Sequence, residues 1–452
     1  MKLDNQMMLR GPLLKNMIGY TVPIILTGWL QLLFNAADLV VVGQANGSNS
    51  LAAVGATGAI TNLIVNLFIG LSVGAGVMVA HGLGGNDEQA VHRTIHTAIP
   101  AAAVSGLFLT VVGVGLSRTF LVWMDTPENI LPLSTLYMQI YFGGMVFNMI
   151  YNFASSILRA AGDTRSPLIF LTISGVINVA LNLFFVYVFH MNVEGVALAT
   201  VISQAVSAVL VVYTLMRRTD ACRLELKKLR IYKPQLLRMI RIGLPAGIQG
   251  SMFSISNVMI QSSINSFGDV VMSGNTAAGN IEGFVYTAMN AFHQTAVNFT
   301  GQNVGARQYD RVRRILWTSL GCVGVAGLAL GTLMYAFGPQ LLSIYISDSP
   351  EAIRYGLIRM QYICAIYFLC GLMDVSTGAL RGMGASLVPM VISVLGVCGI
   401  RLLWIYTVFK AYPTTECLYL SYGVSWVITF AAQFAAFWWV YRKHVKKAES
   451  LQ

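Results

Sequence analysis

The sequence predicts an all-α membrane protein with twelve transmembrane helices, arranged as two parallel six-helix repeats, an N-lobe and a C-lobe. Three observations lead to this prediction. The 452 residues are 56% hydrophobic and only 10% charged, whereas about a quarter of the residues in a soluble domain are charged. Apolar runs of the roughly 20 residues needed to cross a bilayer recur along the whole chain. Short motifs of the first half also return in the second half, displaced by 222 residues.

The apolar runs define twelve predicted spans and leave no room for a separate soluble domain. The first run is too long for the hydrophobic segment of a signal peptide, so we expect it to be a permanent helix. The spans fall at about residues 16–44, 51–82, 94–116, 133–157, 166–190, 193–216, 242–266, 271–300, 315–340, 355–380, 387–409 and 416–441.

The net charge of +11 is distributed according to the predicted topology. The two chain ends and the loops after even-numbered spans hold 24 of the 29 Lys and Arg residues. Basic loops stay on the cytoplasmic side. We therefore expect a multi-pass protein of the cell (inner) membrane with both termini in the cytoplasm. The positive charge reflects orientation in the lipid bilayer, and we expect no nucleic-acid partner.

The two halves are predicted to be tandem copies. Because six spans is an even number, both halves enter the membrane with the same orientation, as in carriers built from parallel repeats. We assign residues 1–216 to the N-lobe, 217–235 to a basic cytoplasmic linker and 236–452 to the C-lobe with its basic tail. An alternative interpretation of the linker is a lipid-binding or calmodulin-like helix. The equivalent residues are Pro12 and Pro234, Pro23 and Pro245, Leu158 and Leu380, and Arg159 and Arg381.

Motifs for nucleotide hydrolysis and for hydrolytic catalysis are missing from the sequence. There is no G-x-x-x-x-G-K-[ST] loop, which argues against direct use of ATP. There is no nucleophile elbow and no H-E-x-x-H, which argues against an intramembrane hydrolase. The six cysteines lack C-x-x-C spacing, so we expect neither disulfides nor a metal site. The sequence therefore indicates a secondary transporter that is not an enzyme and needs no cofactor.

Three motifs give the chain its likeness to a known family. They are Pro23 with Asp38 in the first span, the segment LRAAGDTRSP at Leu158–Pro167, and the segment GQNVGA at Gly301–Ala306. Their order and spacing resemble the multidrug and toxic compound extrusion (MATE) family over nearly the whole chain. The resemblance implies a cation-coupled (Na⁺ or H⁺) antiporter that exports organic, cationic drugs or metabolites by alternating access. The loop GLGGNDEQAVHR after the second span does not fit the corresponding motif of major facilitator carriers.

Asp38, deep in the first span, is the first candidate for coupling. A carboxylate there must be protonated, ion-bound or paired, although it could also serve as a helix cap near the extracellular end. Asn178 and Asn182 are four residues apart, so their amides share one face of the fifth helix.

The resemblance implies an N-lobe cation site formed by Asp38, Asn178, Asn182 and Thr200. Some members have Asp where this chain has Asn182. One carboxylate with neutral oxygen donors suits a monovalent ion better than a two-carboxylate proton relay. The alternative interpretation is hydrogen bonding between helices.

The C-lobe contains a second set of ionisable candidates. Asp374, in the tenth span, resembles the acid that some members use for a C-lobe cation site. Those members also carry an acid near the start of the seventh helix, which is missing here near Phe253; Glu282 is the candidate to replace it. Arg401 is the fixed cation deep in the eleventh span, and we expect Asp374 or Glu282 to pair with it. The alternative is a purely structural ion pair.

Three histidines lie in or beside the predicted spans. We expect His92 and His96 to lie on a wet loop face rather than at a metal site, and His293 to be a hydrogen-bonded residue of the bundle.

One rival function is a lipid-linked oligosaccharide or lipid flippase of the same superfold. The scarcity of Lys and Arg residues deep in the spans counts against it. The other is a channel or receptor. We expect a monomer with a small-molecule organic substrate.

Overall fold

Long helices account for most of the chain in the computed structural model, which describes residues 7–347 and 349–450. Twelve long helical segments follow one another and are numbered here in chain order. A short helix, Gly338–Tyr345, lies between the ninth and tenth segments. The segments are α1 (Leu13–Asn46), α2 (Ser48–Gly84), α3 (Glu88–Trp123), α4 (Leu131–Gly143 and Met145–Ala160), α5 (Arg165–Val188), α6 (Val193–Arg217), α7 (Lys233–Asn265), α8 (Asp269–Gly305), α9 (Tyr309–Ala336), α10 (Pro350–Gly382), α11 (Leu387–Phe409) and α12 (Thr415–Glu449).

The twelve segments coincide with the twelve predicted spans. Within residues 7–347 and 349–450, nine helices are long and apolar enough to cross a membrane. The other three segments are α4, α7 and α8. α4 is interrupted at Gly144, and α7 and α8 contain more polar side chains than their neighbours. Helix length and hydropathy therefore support nine of the twelve predicted spans. The sequence repeat between the two halves supports the other three.

The duplicated Leu-Arg-x-x-Gly motif ends two equivalent helices, α4 and α10. Gly162 and Gly384 follow these helices with φ angles of +90° and +83°, in the left-handed region that favours glycine. After α4, the Gly162 amide donates to the Arg159 carbonyl at 3.0 Å and the Asp163 amide donates to the Leu158 carbonyl at 2.9 Å. The end of α10 has the same pair of bonds, at 2.8 and 3.1 Å. This pattern satisfies the last carbonyls of a helix, so the motif terminates both α4 and α10.

The described residues form two compact units. The N-terminal unit runs from Leu26 to Gly247, and the C-terminal unit contains the described residues up to Ile25 and those from Ile248 onward. Both boundaries fall two residues after a proline within a helix, Pro23 in α1 and Pro245 in α7. Proline removes one backbone hydrogen bond from a helix and favours a bend there. The predicted lobe boundaries at residues 216 and 235 followed the loops. The observed division instead places the start of α1 in the C-terminal unit and the start of α7 in the N-terminal unit.

Glycines bring α2 and the start of α7 together in the N-terminal unit. A Cβ atom on Gly70 would lie 2.2 Å from the backbone nitrogen of Gly247, and one on Gly74 would lie 2.3 Å from the carbonyl oxygen of Met239. Such backbone approach is typical of small residues between membrane helices. The start of α7 is therefore held in the N-terminal unit by contacts that a larger side chain would break.

The start of α1 is held in the C-terminal unit by aromatic and polar contacts with α8. The rings of Tyr20 and Phe299 meet edge to face with their centroids 5.3 Å apart. The next residue of α1, Thr21, lies beside Thr295 of α8, and their hydroxyl oxygens are 2.7 Å apart and share a hydrogen bond. All four side chains lie within the packed interior of this unit, so these contacts fix the position of α1 against α8.

The basic linker folds back onto α3 of the N-terminal unit. Between the end of α6 at Arg217 and the start of α7 at Lys233, the described residues contain one helical turn, Leu226–Lys228, which disfavours the alternative of a long amphipathic helix. The Tyr232 amide donates to the Thr97 hydroxyl at 3.1 Å, and the Glu225 amide donates to the His96 ring at 3.1 Å. The linker is therefore ordered, and hydrogen bonds from Glu225 and Tyr232 attach it to α3.

The expectation of a wet loop face is wrong for His96. Its side chain is fully buried, with Nδ1 donating to the carbonyl of His92 at 2.8 Å and Nε2 accepting the Glu225 amide. Both ring nitrogens therefore have partners, which a neutral imidazole protonated at Nδ1 provides. Among the described residues, no group of three or more His, Cys, Asp or Glu side chains could hold a metal.

Candidate functional site

Four side chains from three helices of the N-terminal unit meet at one place. Asp38 comes from α1, Asn178 and Asn182 from α5, and Thr200 from α6. The two asparagines lie one turn apart on the same helical face, which directs both amides toward α1 and α6. Asn178 and Asn182 are buried, whereas Asp38 and Thr200 are half-buried. The four residues that the family resemblance implied are therefore neighbours in the fold.

A chain of hydrogen bonds joins these four side chains. The Asn182 amide nitrogen donates to Asp38 Oδ1 and lies 3.2 Å from Asn178 Oδ1. The Asn178 amide nitrogen donates to Thr200 Oγ1 at 3.4 Å, and Thr200 Oγ1 lies 3.5 Å from Asp38 Oδ2. Asn182 Oδ1 is buried and has no partner among the described residues. A buried amide oxygen without a donor is costly, and its lone pairs remain available to a cation.

The donor set of this cluster consists of oxygen atoms with a single formal charge. Two oxygens belong to Asp38, two are amide oxygens of Asn178 and Asn182, and one is the Thr200 hydroxyl. Oxygen ligands of this kind suit hard cations. Rotation of the Asn182 amide by half a turn would exchange its nitrogen for its oxygen beside Asp38. The same side chain can thus donate a hydrogen bond to the carboxylate or present an oxygen to a bound ion.

Two tyrosines of α4 lie near the cluster, and they were not predicted from the sequence. The Tyr137 and Tyr141 rings stack with centroids 6.2 Å apart, and Tyr137 packs against the apolar cluster that includes Val42 of α1 and Val196 of α6. Their four-residue spacing on a predicted span was the available signal. Tyrosines in apolar spans are common, so the spacing alone did not distinguish them from other bundle residues.

In the C-terminal unit, Glu282 pairs with Arg359 and not with Arg401. Arg359 Nε donates to Glu282 Oε1 at 2.9 Å and Nη2 donates to Oε2 at 2.7 Å. Arg359 Nη1 donates to Asn275 Oδ1 at 2.6 Å. This two-pronged pair joins α8 to α10, and together with the Asn275 contact it gives every nitrogen of the guanidinium a partner. The expectation that Arg401 pairs with Glu282 is therefore wrong, because the acid is already neutralised by a nearer arginine.

Arg401 lies against aromatic rings instead of a carboxylate. Its guanidinium carbon is 4.1 Å from the centroid of Tyr422 and 5.9 Å from that of Trp426. Its Nε donates to the Ser425 hydroxyl at 3.2 Å. Among the described residues, no ion pair joins Arg401 to Asp374 or Glu282. The second expected partner, Asp374, is thus not a partner either, because Arg401 is held on the face of a ring.

Asp374 belongs to a network around His293 that the sequence identified only in part. The His293 Nδ1 donates to the backbone carbonyl of Asp374 at 2.7 Å. His293 Nε2 then accepts from Arg381 Nη1 at 3.3 Å, and Arg381 Nη2 donates to Gln249 Oε1 at 2.6 Å. The expected role of His293 as a hydrogen-bonded bundle residue agrees with these contacts. Arg381 was visible as part of the duplicated Leu-Arg motif, but the motif did not reveal its partners.

Known proteins resemble this chain over most of its length. The family model described as MatE matches residues 23–184 and 245–407, so the two matches start at Pro23 and Pro245 and repeat the displacement found in the sequence. The chain is 26% identical to the probable multidrug resistance protein YpnP of Bacillus subtilis (strain 168), over 94% of this chain and 95% of the relative. It is 23% identical to the probable multidrug resistance protein NorM of Thermotoga maritima, over 86% of this chain and 84% of the relative.

Solved structures share the fold. One, described as the outward-facing conformation of a multidrug resistance MATE family transporter of the MOP superfamily, superposes with a TM-score of 0.89 at 19% identity, over 99% of this chain and 100% of that one. A mutant of the Vibrio cholerae MATE transporter VcmN superposes with a TM-score of 0.86 at 20% identity, over 96% and 97% of the two chains. At these identities the likeness concerns the fold.

Proposed function

Because the chain belongs to the MATE family of transporters, we propose that it is a cation-coupled antiporter that exports organic, cationic drugs or metabolites. Its relatives are multidrug resistance transporters rather than enzymes, and MATE transporters are coupled to ions without a cofactor. We assign the cation to Asp38, Asn178, Asn182 and Thr200.

The convergence of these four side chains carries the proposal. They come from three helices, yet they form one connected set of hydrogen bonds around one carboxylate. Within this set, Asn182 Oδ1 is buried without a partner. This oxygen belongs to the side chain that contacts the one carboxylate of the set, where a bound cation could reach both. A site that alternates between two states leaves one atom unsatisfied in one of them.

Na⁺ suits this donor set better than H⁺. A proton needs only the carboxylate of Asp38, whereas Na⁺ needs several oxygens, which the two amides and the hydroxyl supply. The second carboxylate that a proton relay would use is replaced by Asn182. Na⁺ would be held with the Asn182 amide turned so that Oδ1 faces the ion, and loss of Na⁺ would return the amide nitrogen to Asp38.

Coupling requires that the ion and the substrate favour different states of the transporter. An ion that binds only one state shifts the equilibrium by its difference in affinity between the two states. In the proposed cycle, Na⁺ binding at Asp38 stabilises the state from which the organic cation has left. Release of Na⁺ on the other side allows the state that binds a new substrate molecule to return.

Among the candidates of the C-terminal unit, Asp374 is the one available to an organic cation. Glu282 is occupied by Arg359, so it does not replace the acid missing near Phe253. The flippase alternative gains no support, since the relatives described above are multidrug resistance proteins.

Efflux of ethidium from loaded cells tests the proposal. Wild type and Asp38→Asn would be compared under an imposed Na⁺ gradient and, separately, an imposed proton gradient. We expect Na⁺ to drive efflux by wild type and not by the variant. Efflux driven only by protons would replace Na⁺ with H⁺ as the coupling ion, and the absence of efflux under both gradients would refute the proposed function.

A further inference from the structure

An open groove lies at one end of the C-terminal unit, where three helices reach the membrane surface. α1 and α9 begin at the groove and α12 ends near it, and its volume is about 710 Å³. Because an even number of spans lies between these helix ends, all three belong to the same face of the membrane, which the basic loops predict to be cytoplasmic. The side chains that line the groove include Leu14, Arg313, Arg314, Trp317, Thr318 and Trp438.

Two neighbouring arginines of α9 bring positive charge to the groove, and no acid lines it. The side chains of Arg313 and Arg314 are exposed. In the part of the chain that the structure describes, neither guanidinium has a salt bridge or a hydrogen-bond acceptor. Arg311 shows the contrast, because it donates to the carbonyl oxygens of Met8 and Gly11 at 3.3 Å each. The two arginines therefore keep their planar N–H edges available, and phosphate oxygens match such an edge.

Tryptophan rings form an apolar wall of the groove. Trp317 follows Arg313 by one helical turn on the same face of α9 and is 55% exposed. It meets Phe434 of α12 edge to face with ring centroids 5.6 Å apart, and Phe434 meets Trp438 at 6.1 Å. Leu14 adds exposed apolar surface from α1. Tryptophan at the end of a span is typical of the level where lipid headgroups meet acyl chains, so the groove combines an anion-binding edge with an apolar wall at that level.

The equivalent surface of the N-terminal unit is covered by the chain itself. α3 and α9 are equivalent helices of the two repeats, and each begins two residues after a residue in the left-handed region, Asn86 with a φ angle of +53° and Arg307 with a φ angle of +56°. His96 and Thr97 of α3 each accept a hydrogen bond from a backbone amide of the basic linker. Counted from the two left-handed residues, their counterparts in α9 are Trp317 and Thr318.

The C-terminal unit leaves this surface open among the described residues. α6 ends at Arg217 and passes into the linker, whereas α12 continues as a helix to Glu449. Within residues 7–347 and 349–450, no segment comparable to the linker covers Trp317 and Thr318, which line the groove instead. A surface that one repeat fills with its own chain is therefore available to a ligand in the other. The unpaired arginines favour an anionic ligand, and the tryptophan rings favour a ligand with an apolar part.

We propose that the groove binds one molecule of an anionic phospholipid, with the phosphodiester held by Arg313 and Arg314 and an acyl chain lying along Trp317 and Trp438. Basic pockets between helices at the cytoplasmic face are typical binding sites for anionic lipid headgroups. A zwitterionic lipid brings a positive choline group beside two arginines, which opposes binding. The bound lipid contacts α1, α9 and α12 together, so it strengthens the attachment of the start of α1 to the C-terminal unit.

Native mass spectrometry of the purified full-length protein in detergent measures this binding. Dioleoylphosphatidylglycerol and dioleoylphosphatidylcholine form a matched pair of probes, because they share both acyl chains and differ in headgroup charge. We expect the anionic lipid to saturate the groove with one molecule and to bind about tenfold more tightly than the zwitterionic lipid. Equal affinities of wild type for the two lipids would overturn the inference without any variant.

Variants assign the preference to the two arginines. The double variant Arg313→Gln with Arg314→Gln should bind phosphatidylglycerol about tenfold more weakly and phosphatidylcholine as wild type does. The double variant Arg238→Gln with Arg241→Gln removes two exposed cations of α7 at the same predicted membrane face, so it is the matched control and should keep the preference. Loss of the preference in both double variants would indicate a general effect of surface charge and overturn the site.

Fluorescence quenching locates the bound lipid. Brominated acyl chains quench the tryptophans that they contact, and two of the seven tryptophans line the groove. We expect brominated phosphatidylglycerol to quench wild type more strongly than brominated phosphatidylcholine, and the double variant Trp317→Phe with Trp438→Phe to lose this difference. An undiminished difference in that variant would place the lipid elsewhere and overturn the assignment.

Inorganic phosphate separates a lipid from a soluble anion. We expect excess phosphate to leave the quenching by brominated phosphatidylglycerol unchanged, because phosphate lacks the acyl chain that contacts the tryptophans. Displacement of the lipid by phosphate would assign the groove to a soluble anion and overturn the proposal. The thermal unfolding midpoint in detergent establishes that each variant is folded. If the double Gln variant is not, Arg313→Lys with Arg314→Lys replaces it and should bind phosphatidylglycerol more weakly than wild type, because lysine lacks the two-pronged edge.

Discussion

The Asn182 side chain donates a hydrogen bond to the Asp38 carboxylate and leaves its own carbonyl oxygen buried without a partner. This relationship connects α5 to α1 through the single acid of the N-terminal cluster. An aspartate at position 182 could not donate in this way while ionised, and two carboxylates would repel each other. Asn182 therefore places a neutral side chain, rather than a second negative charge, beside the Asp38 carboxylate, an arrangement that suits a monovalent cation.

Replacing Asn182 by Ala should weaken coupling to Na⁺. The substitution removes the donor to Asp38 and the unpartnered oxygen, so we expect the Na⁺ concentration for half-maximal ethidium efflux to rise about tenfold. The measurement is efflux rate against external Na⁺ in cells that express equal amounts of protein. An unchanged Na⁺ dependence would remove Asn182 from the proposed site.

The Thr200 hydroxyl should contribute less, because it is neutral and half-buried. Thr200→Ala should raise the Na⁺ requirement by about threefold to tenfold. Thr172→Ala is the matched control, since Thr172 is an exposed residue of α5 whose hydroxyl donates to its own helix at Leu168. If the two variants show the same Na⁺ dependence, Thr200 is not a ligand.

The Glu282–Arg359 pair should matter for stability. Glu282→Gln leaves the buried Arg359 without its anion, and we expect about 3 kcal/mol of destabilisation, seen as a lower thermal unfolding midpoint in detergent. The double variant Glu282→Gln with Arg359→Met removes both charges and should regain much of the loss. A double variant as unstable as Glu282→Gln alone would show that the pair is not the cause.

Cys222 reports on the folded linker. Its side chain is fully buried, and burial raises the pKa of the Cys222 thiol to about 12. Thiolate is the reactive form, and at pH 8 the thiol is protonated because this pH lies far below its pKa. We therefore expect very slow maleimide labelling of Cys222, measured by mass spectrometry after digestion.

Lys227→Cys provides the control for this labelling, since Lys227 is an exposed residue of the same linker. The new cysteine should react rapidly at pH 8. If Cys222 reacts at the same rate, the linker is not packed onto α3 as described. His96→Phe, which removes the acceptor of the Glu225 amide, should accelerate labelling of Cys222.

The helical architecture was predictable because bilayer thickness, basic loops and repeated motifs each leave a direct mark on the sequence. The N-terminal cluster was predictable for a related reason. Asp38 was identified as an ionisable residue within a span, and Asn178 and Asn182 share a helical face by spacing alone. The family resemblance added Thr200 and grouped the four residues into one site. The structure brings the four side chains together, while their role in binding a cation stays a proposal.

Pairings between helices were less predictable. Arg359 and Arg401 both lie within predicted spans, but the sequence does not state which faces of α8, α10 and α11 meet. Glu282 consequently received the wrong partner. The burial of His96 was missed because it depends on the linker folding back onto α3, and no local pattern marks that contact. The division after Pro23 and Pro245 was missed because loops, rather than prolines within helices, were taken as boundaries.

Purified protein in liposomes tests the central claim most directly, because coupling must work in both directions. An ethidium gradient would be imposed with Na⁺ equal on both sides, and Na⁺ movement followed with a Na⁺-sensitive dye. We predict that ethidium flux through wild type drives Na⁺ in the opposite direction and that Asp38→Asn abolishes this Na⁺ movement. Ethidium flux through wild type without Na⁺ movement, or equal Na⁺ movement through Asp38→Asn, would contradict the assignment of Asp38 as the coupling residue.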